Sequence, residues 1–138
     1  MSLRVSKKDQ SQRDPLTYRI IGCAMAVHRF LGPGLLESVY EECLNGELTR
    51  SGLHIARQPA LSVEYDGRII NRIFRPDFVV NREVVVEVKS VVALQPVHQA
   101  QLLTYMKLAG IERGLIINFN CEYLIRGVRR FILTRQRA

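Results

Sequence analysis

The sequence predicts an α/β domain, helices flanking one mixed sheet. Three observations predict it. Apolar residues recur at helical spacing up to about residue 50, and the period then changes to strand alternation around Asp66-Gly67. A strand, a helix and another strand then follow one another between residues 84 and 119. That run implies a right-handed crossover joining parallel strands, whereas the Asp66-Gly67 turn implies antiparallel neighbours. At 138 residues the chain is long enough for one domain with its own core.

Taken in order, residues 1–13 are polar and unpatterned and read as a flexible tail ahead of a single domain at 14–138. Asp14-Pro15 supplies an N-cap and a first-turn proline. Leu16, Ile20, Ala24, Val27 and Leu31 then form one helical stripe, stopped by Gly32-Pro33-Gly34. His28 lies on the edge of that stripe with no second histidine at ligand spacing, so it reads as a packing or surface residue. A second helix spans about 35–50. Glu37 and Tyr40 share a face there, and an acid in the first turn also complements the helix dipole. Glu41 and Glu42 read as solvated charge.

Leu61, Val63 and Tyr65 alternate up to Asp66-Gly67, and Ile69, Ile73 and Phe74 carry a return strand that bends near Pro76. A third strand is expected over 84–91. Gln95-Pro96 opens a third helix that ends before Gly110. His98, Gln101 and Tyr105 lie on one of its stripes, and Val97, Leu103, Thr104 and Leu108 are expected to supply packing. Strands at 114–119 and 128–133 complete the chain.

The chain is organised around residues 74–90, F-R-P-D-F-V-V-N-R-E-V-V-V-E-V-K-S. Side chains alternate along a strand, so Glu87 and Lys89 leave on one face and Val84, Val86 and Val88 on the other. Two charges on so apolar a strand are costly unless paired or metal-bound. The chain has sixteen arginines and only four lysines, two of them in the N-terminal tail and one at Lys107. The fourth, Lys89, puts a compact ammonium where a guanidinium would not serve. A two-residue loop at Asn81-Arg82 would set Asp77 opposite Val86, on the wrong face. A three-residue loop at 81–83, or a bulge near Pro76, sets it opposite Glu87, and one of these irregularities is expected.

The net charge of +7 suits a polyanionic partner, and Arg75, Arg126, Arg129 and Arg130 are candidate nucleic-acid contacts. Cys23, Cys43 and Cys121 show no metal spacing and read as reduced, mostly buried thiols. No apolar run reaches membrane-spanning length and no leader pattern is present, so a cytoplasmic protein without membrane contact is expected. Thirteen acids and four lysines predict about 0.4 chance acid-x-Lys matches, so context, not the tripeptide, carries the signal.

With Pro76-Asp77, nine intervening residues and Glu87-Val88-Lys89, the chain resembles the PD-(D/E)xK nuclease superfamily. Its element order is similar to that superfamily's restriction-endonuclease-like αβββαβ core. Gly34, Glu37 and Tyr40 read GxxExxY and resemble the motif of one family within it, and Gln101 to Tyr105 resembles the QxxxY element of some members. The resemblance implies a phosphodiester hydrolase that uses Mg²⁺ or Mn²⁺ and acts on DNA ahead of RNA. Asp77, Glu87, the Val88 carbonyl and Glu37 would be the metal ligands. Lys89 would orient or activate the attacking water, and Gln101 and Tyr105 would position water, Lys89 or phosphate. A binding module that keeps the fold but cuts little is the alternative, and a homodimer is left open.

Overall fold

A computed structural model describes residues 3–6 and 14–135. Asp14 caps the first helix, α1 (Pro15–Leu31), accepting the Thr17 N–H at 3.2 Å with Pro15 in the first turn. Gly32, at φ +68, ends the helix and donates its N–H to the His28 carbonyl. The second helix, α2 (Glu37–Arg50), starts two residues later than the sequence suggests. Tyr40 ties down the intervening link: its hydroxyl donates to the Gly32 carbonyl and accepts the Leu35 N–H. Its ring stacks on Phe119 with centroids 4.5 Å apart.

The strands are β1 (Leu3–Ser6), β2 (Ile55–Arg57), β3 (Leu61–Tyr65), β4 (Arg68–Phe74), β5 (Phe78–Val80), β6 (Val84–Lys89), β7 (Arg113–Asn118) and β8 (Val128–Arg135). Six of them form one sheet in the order β1-β8-β7-β6-β5-β2. Only β6 and β7 pair in parallel within it, joined through the third helix, α3 (Pro96–Ala109), as expected of a strand–helix–strand crossover. The fold is thus the expected mixed α/β one. The β3–β4 hairpin, turned at Asp66 and Gly67 with φ +52 and +74, is a separate two-stranded sheet. Pro76 cannot donate to a ladder and restricts Arg75, so the chain breaks there and re-enters the main sheet as β5.

One face of the main sheet packs Val84, Val86 and Val88 against α1 and α2, through Ile20, Ala24, Tyr40 and Leu44. The other packs Val85, Ile116 and Phe131 against Leu102, Tyr105 and Met106 of α3. Here the expected α3 packing stripe is corrected: Val97 is 66% exposed and Thr104 also faces solvent. Apolar residues surround that helix, so their spacing does not select a face.

Two further expectations change. Leu3–Ser6, inside the stretch expected to be a flexible tail, pairs antiparallel with β8, while residues 1–2 and 7–13 lie outside the described residues. All three cysteines are free, yet only Cys23 is buried; Cys43 is exposed and Cys121 half-buried. His28 is the packing residue expected, with Nε2 2.7 Å from the Cys121 carbonyl.

β6 stops at Lys89, not at residue 91, because a side chain replaces the ladder. Asn118 accepts the Val91 N–H at 3.1 Å, donates to the Val91 carbonyl at 3.0 Å and accepts the Asn120 N–H at 3.2 Å. It is almost fully buried. Asn118→Ala leaves these backbone groups unpaired, so we expect a loss of about 2–3 kcal/mol, read as a lower urea midpoint with an unchanged m-value.

Candidate active site

The loop between β5 and β6 decides where Asp77 stands. Val80 pairs with Val84 and Phe78 with Val86, so three residues, 81–83, form the loop, with Asn81 and Arg82 both at positive φ. The same register carried one residue further sets Asp77 opposite Glu87. This is one of the two irregularities expected. Asp77 and Glu87 each accept a backbone N–H from the other strand's segment. The Asp77 N–H donates to Glu87 Oε1 at 2.8 Å, and the Val88 N–H donates to Asp77 Oδ2 at 2.7 Å. The N–H and C=O of one strand residue point to the same edge, so the Val88 carbonyl also leaves toward Asp77. Lys89 Nζ lies 3.7 Å from Glu87 Oε2, its side chain 14% exposed.

Burial raises both carboxyl groups. Asp77 is pushed up to about 6, first by burial and then by the charges of Glu41 and Glu37, against the lowering Val88 hydrogen bond and Lys89. Glu87 is pushed up to about 8, again first by burial and then by the charge of Asp77. Tyr105 comes in from α3, its hydroxyl accepting from Gln101 Nε2 at 3.0 Å. Burial first, then the Glu87 charge, raises the phenol, so Tyr105 faces the same acids. His98, on the same stripe, is a cap: its Nδ1 accepts the Gln95 N–H.

Glu41 corrects the expectation of solvated charge. It is buried, accepting from Gln58 Nε2 at 2.9 Å and facing Arg57 Nε at 3.3 Å, and only Glu42 is exposed. Gln58 in turn donates its N–H to the Asp77 carbonyl, which fixes Glu41 beside the site. Nothing in the i, i+4 spacing of Glu37 and Glu41 signals this, because β2, which carries Arg57, was not evident in the sequence. Ser90 is a second missed residue: its hydroxyl donates to the Leu35 carbonyl at 2.6 Å, fastening the end of β6 to the link before Glu37.

Glu37 reaches both Asp77 and Glu87 electrostatically. Among the described residues, however, no three Asp, Glu, His or Cys side chains stand at metal-holding spacing. What fits a hard dication is the donor set of Asp77, Glu87 and the Val88 carbonyl, all oxygen, in a cluster where acids outnumber the facing ammonium.

The candidate arginines divide. Arg129 sits opposite Ile116, on the sheet face that carries Glu87 and Lys89, whereas Arg130, opposite Leu115, projects from the other face toward Asp14 and Thr17. Arg126 precedes β8 in a short 3-10 turn (Leu124–Gly127), and Arg75 donates to the Gln58 carbonyl at 2.8 Å. No helix among the described residues is long and apolar enough to cross a membrane.

No curated protein and no solved structure matches this chain. A family model does, over residues 14–131, from the α1 cap through both acids and Lys89 to β8. The chain belongs to the PD-(D/E)XK nuclease superfamily.

Proposed function

We propose that the protein is a metal-dependent nuclease that hydrolyses phosphodiester bonds, in DNA ahead of RNA, and that its GxxExxY element places it in the family of that name. The observation that carries this reading is the three-residue loop at 81–83, which sets Asp77 level with Glu87 and Lys89 on one face of the sheet. Asp77, Glu87 and the Val88 carbonyl would hold Mg²⁺ or Mn²⁺, with Glu37 adding a carboxylate. When bound, such a cation supplies Lewis-acid polarisation of the phosphate and a more acidic water.

The chain's own residues do the rest. Lys89 orients the attacking water and offsets negative charge gathering on the phosphorane-like transition state. Tyr105, held by Gln101, fixes the phosphate or that water. Glu41, held by Gln58 and Arg57, keeps the Asp77 segment in place.

Calorimetric titration of Mn²⁺ into wild type and Asp77→Asn, run beside cleavage of plasmid, linear and single-stranded DNA, tests the reading. Heat and cleavage in wild type and neither in the variant are expected; no heat in either protein removes the assignment. The spacing of Glu37 from the other acids favours a second reading, a nucleic-acid-binding domain that cuts little. Retarded DNA with no cleavage in any divalent metal would select it.

A further inference from the structure

A cavity of about 510 Å³ opens on the α3 face of the sheet, next to the candidate active site and distinct from its acids. Gln95, Gln99, Asn120, Arg126 and Arg129 line its polar side, and Val92, Leu94 and Pro96 are among the accessible apolar residues of its lining. None of its lining residues is acidic. Neither arginine is paired with a carboxylate among the described residues: Arg126 lies over the Tyr123 ring, and Arg129 donates to the Arg126 and Val128 carbonyls. The N-terminus of α3, at Gln95 and Pro96, adds its positive dipole end to the same wall. Size, sign and the accessible apolar wall together describe a site for one small anion carrying an apolar group.

The arginine wall is built into the fold. A Cβ on Gly127 would lie 2.1 Å from the Asn118 carbonyl oxygen, so only glycine lets the turn that carries Arg126 settle onto the end of β7. Asn118 also lines the cavity and pairs in register with Lys89. The cavity therefore borders the strand end that carries Lys89.

We propose that this cavity seats one nucleotide of the substrate strand, its phosphate on Arg126 and Arg129 and its base against Val92, Leu94 and Pro96. The proposal rests on the nuclease reading above for its position beside the scissile bond. A bound nucleotide would set the register of the strand across Lys89 and makes the substrate single-stranded or frayed where it enters, because a stacked base pair does not fit a one-nucleotide cavity.

The test is titration of the full chain with deoxyadenosine 5′-monophosphate in EDTA, which keeps divalent metal out of the measurement. Inorganic phosphate and deoxyadenosine are titrated separately, and amide shifts are followed by NMR. Expected are shifts at Gln99 and Asn120, weaker binding of either fragment, and at least a tenfold loss of affinity in the Arg126→Gln/Arg129→Gln double variant. A charge-matched control, Arg68→Gln/Arg72→Gln on the exposed β3–β4 hairpin, is expected to bind as wild type. Equal binding by the two double variants, or shifts confined to other elements, overturns the proposal. Nucleotide binding that persists in a protein that cuts no substrate upholds the cavity and removes only the nuclease reading.

Discussion

Lys89→Ala is expected to lower the initial rate of metal-dependent DNA cleavage, on plasmid, linear or single-stranded substrate, by about 10²–10³-fold, the cost of losing one preorganised charge at a developing oxyanion. The Lys89 side chain is 14% exposed, its ammonium 3.7 Å from Glu87 Oε2, and the residue is in register with Asn118. Its environment is therefore low in dielectric, where a fixed positive charge is worth far more than in water. Lys89→Arg is expected to rescue little. The guanidinium is larger and planar, and the position lies between buried strands that a compact charge fits. Neither substitution touches the carboxylates, so the heat of Mn²⁺ binding should persist in both variants. That separates a catalytic loss from a collapsed site. Cleavage by Lys89→Ala at the wild-type rate would remove the amine from the chemistry and leave the acids as a structural cluster.

The readable parts of the fold are those where local chemistry admits a single solution. Asp14-Pro15, Asp66-Gly67 and Gln95-Pro96 each fix a boundary by capping or turn geometry, and all three appear where the sequence puts them. The register of Asp77 is readable up to one choice: a two-residue loop would turn its charge to the wrong face, which leaves a three-residue loop or a bulge near Pro76, and the structure has the loop. What was not readable depends on distant partners. Glu41 looks like any surface acid until β2 brings Arg57 and Gln58 against it. Asn118 looks like a loop residue until Val91 lies alongside it, and β1 needs the edge of β8 to exist at all. The face that α3 buries depends on a sheet its own sequence does not encode.

The metal-free protein is expected to lose stability as pH rises, and a divalent cation to restore it. Asp77 titrates near 6 and Glu87 near 8 in the folded chain, both above their unfolded values of 3.8 and 4.5. The folded state therefore binds more protons than the unfolded state between about pH 4 and pH 8, which makes the slope of stability against pH negative there. The contribution is complete below the unfolded values and is lost as pH rises through the folded ones. For Asp77 alone a shift of about two units corresponds to about 3 kcal/mol, or roughly 10 °C in Tm for a chain of this length. In EDTA, Tm should fall from pH 5 to pH 8.5, and Asp77→Asn should flatten the profile and melt above wild type at the upper end. Mg²⁺ at pH 8.5 should raise the wild-type Tm and leave that of Asp77→Asn unchanged, because cation binding to the folded acids alone shifts the equilibrium. The comparison between proteins cancels the histidines and other groups that titrate in the same range. Parallel profiles for wild type and Asp77→Asn would mean that the two acids are already solvated in the folded chain. A solvated pair would be ionised at neutral pH in the folded and unfolded chain alike, and a dication would then relieve no buried charge.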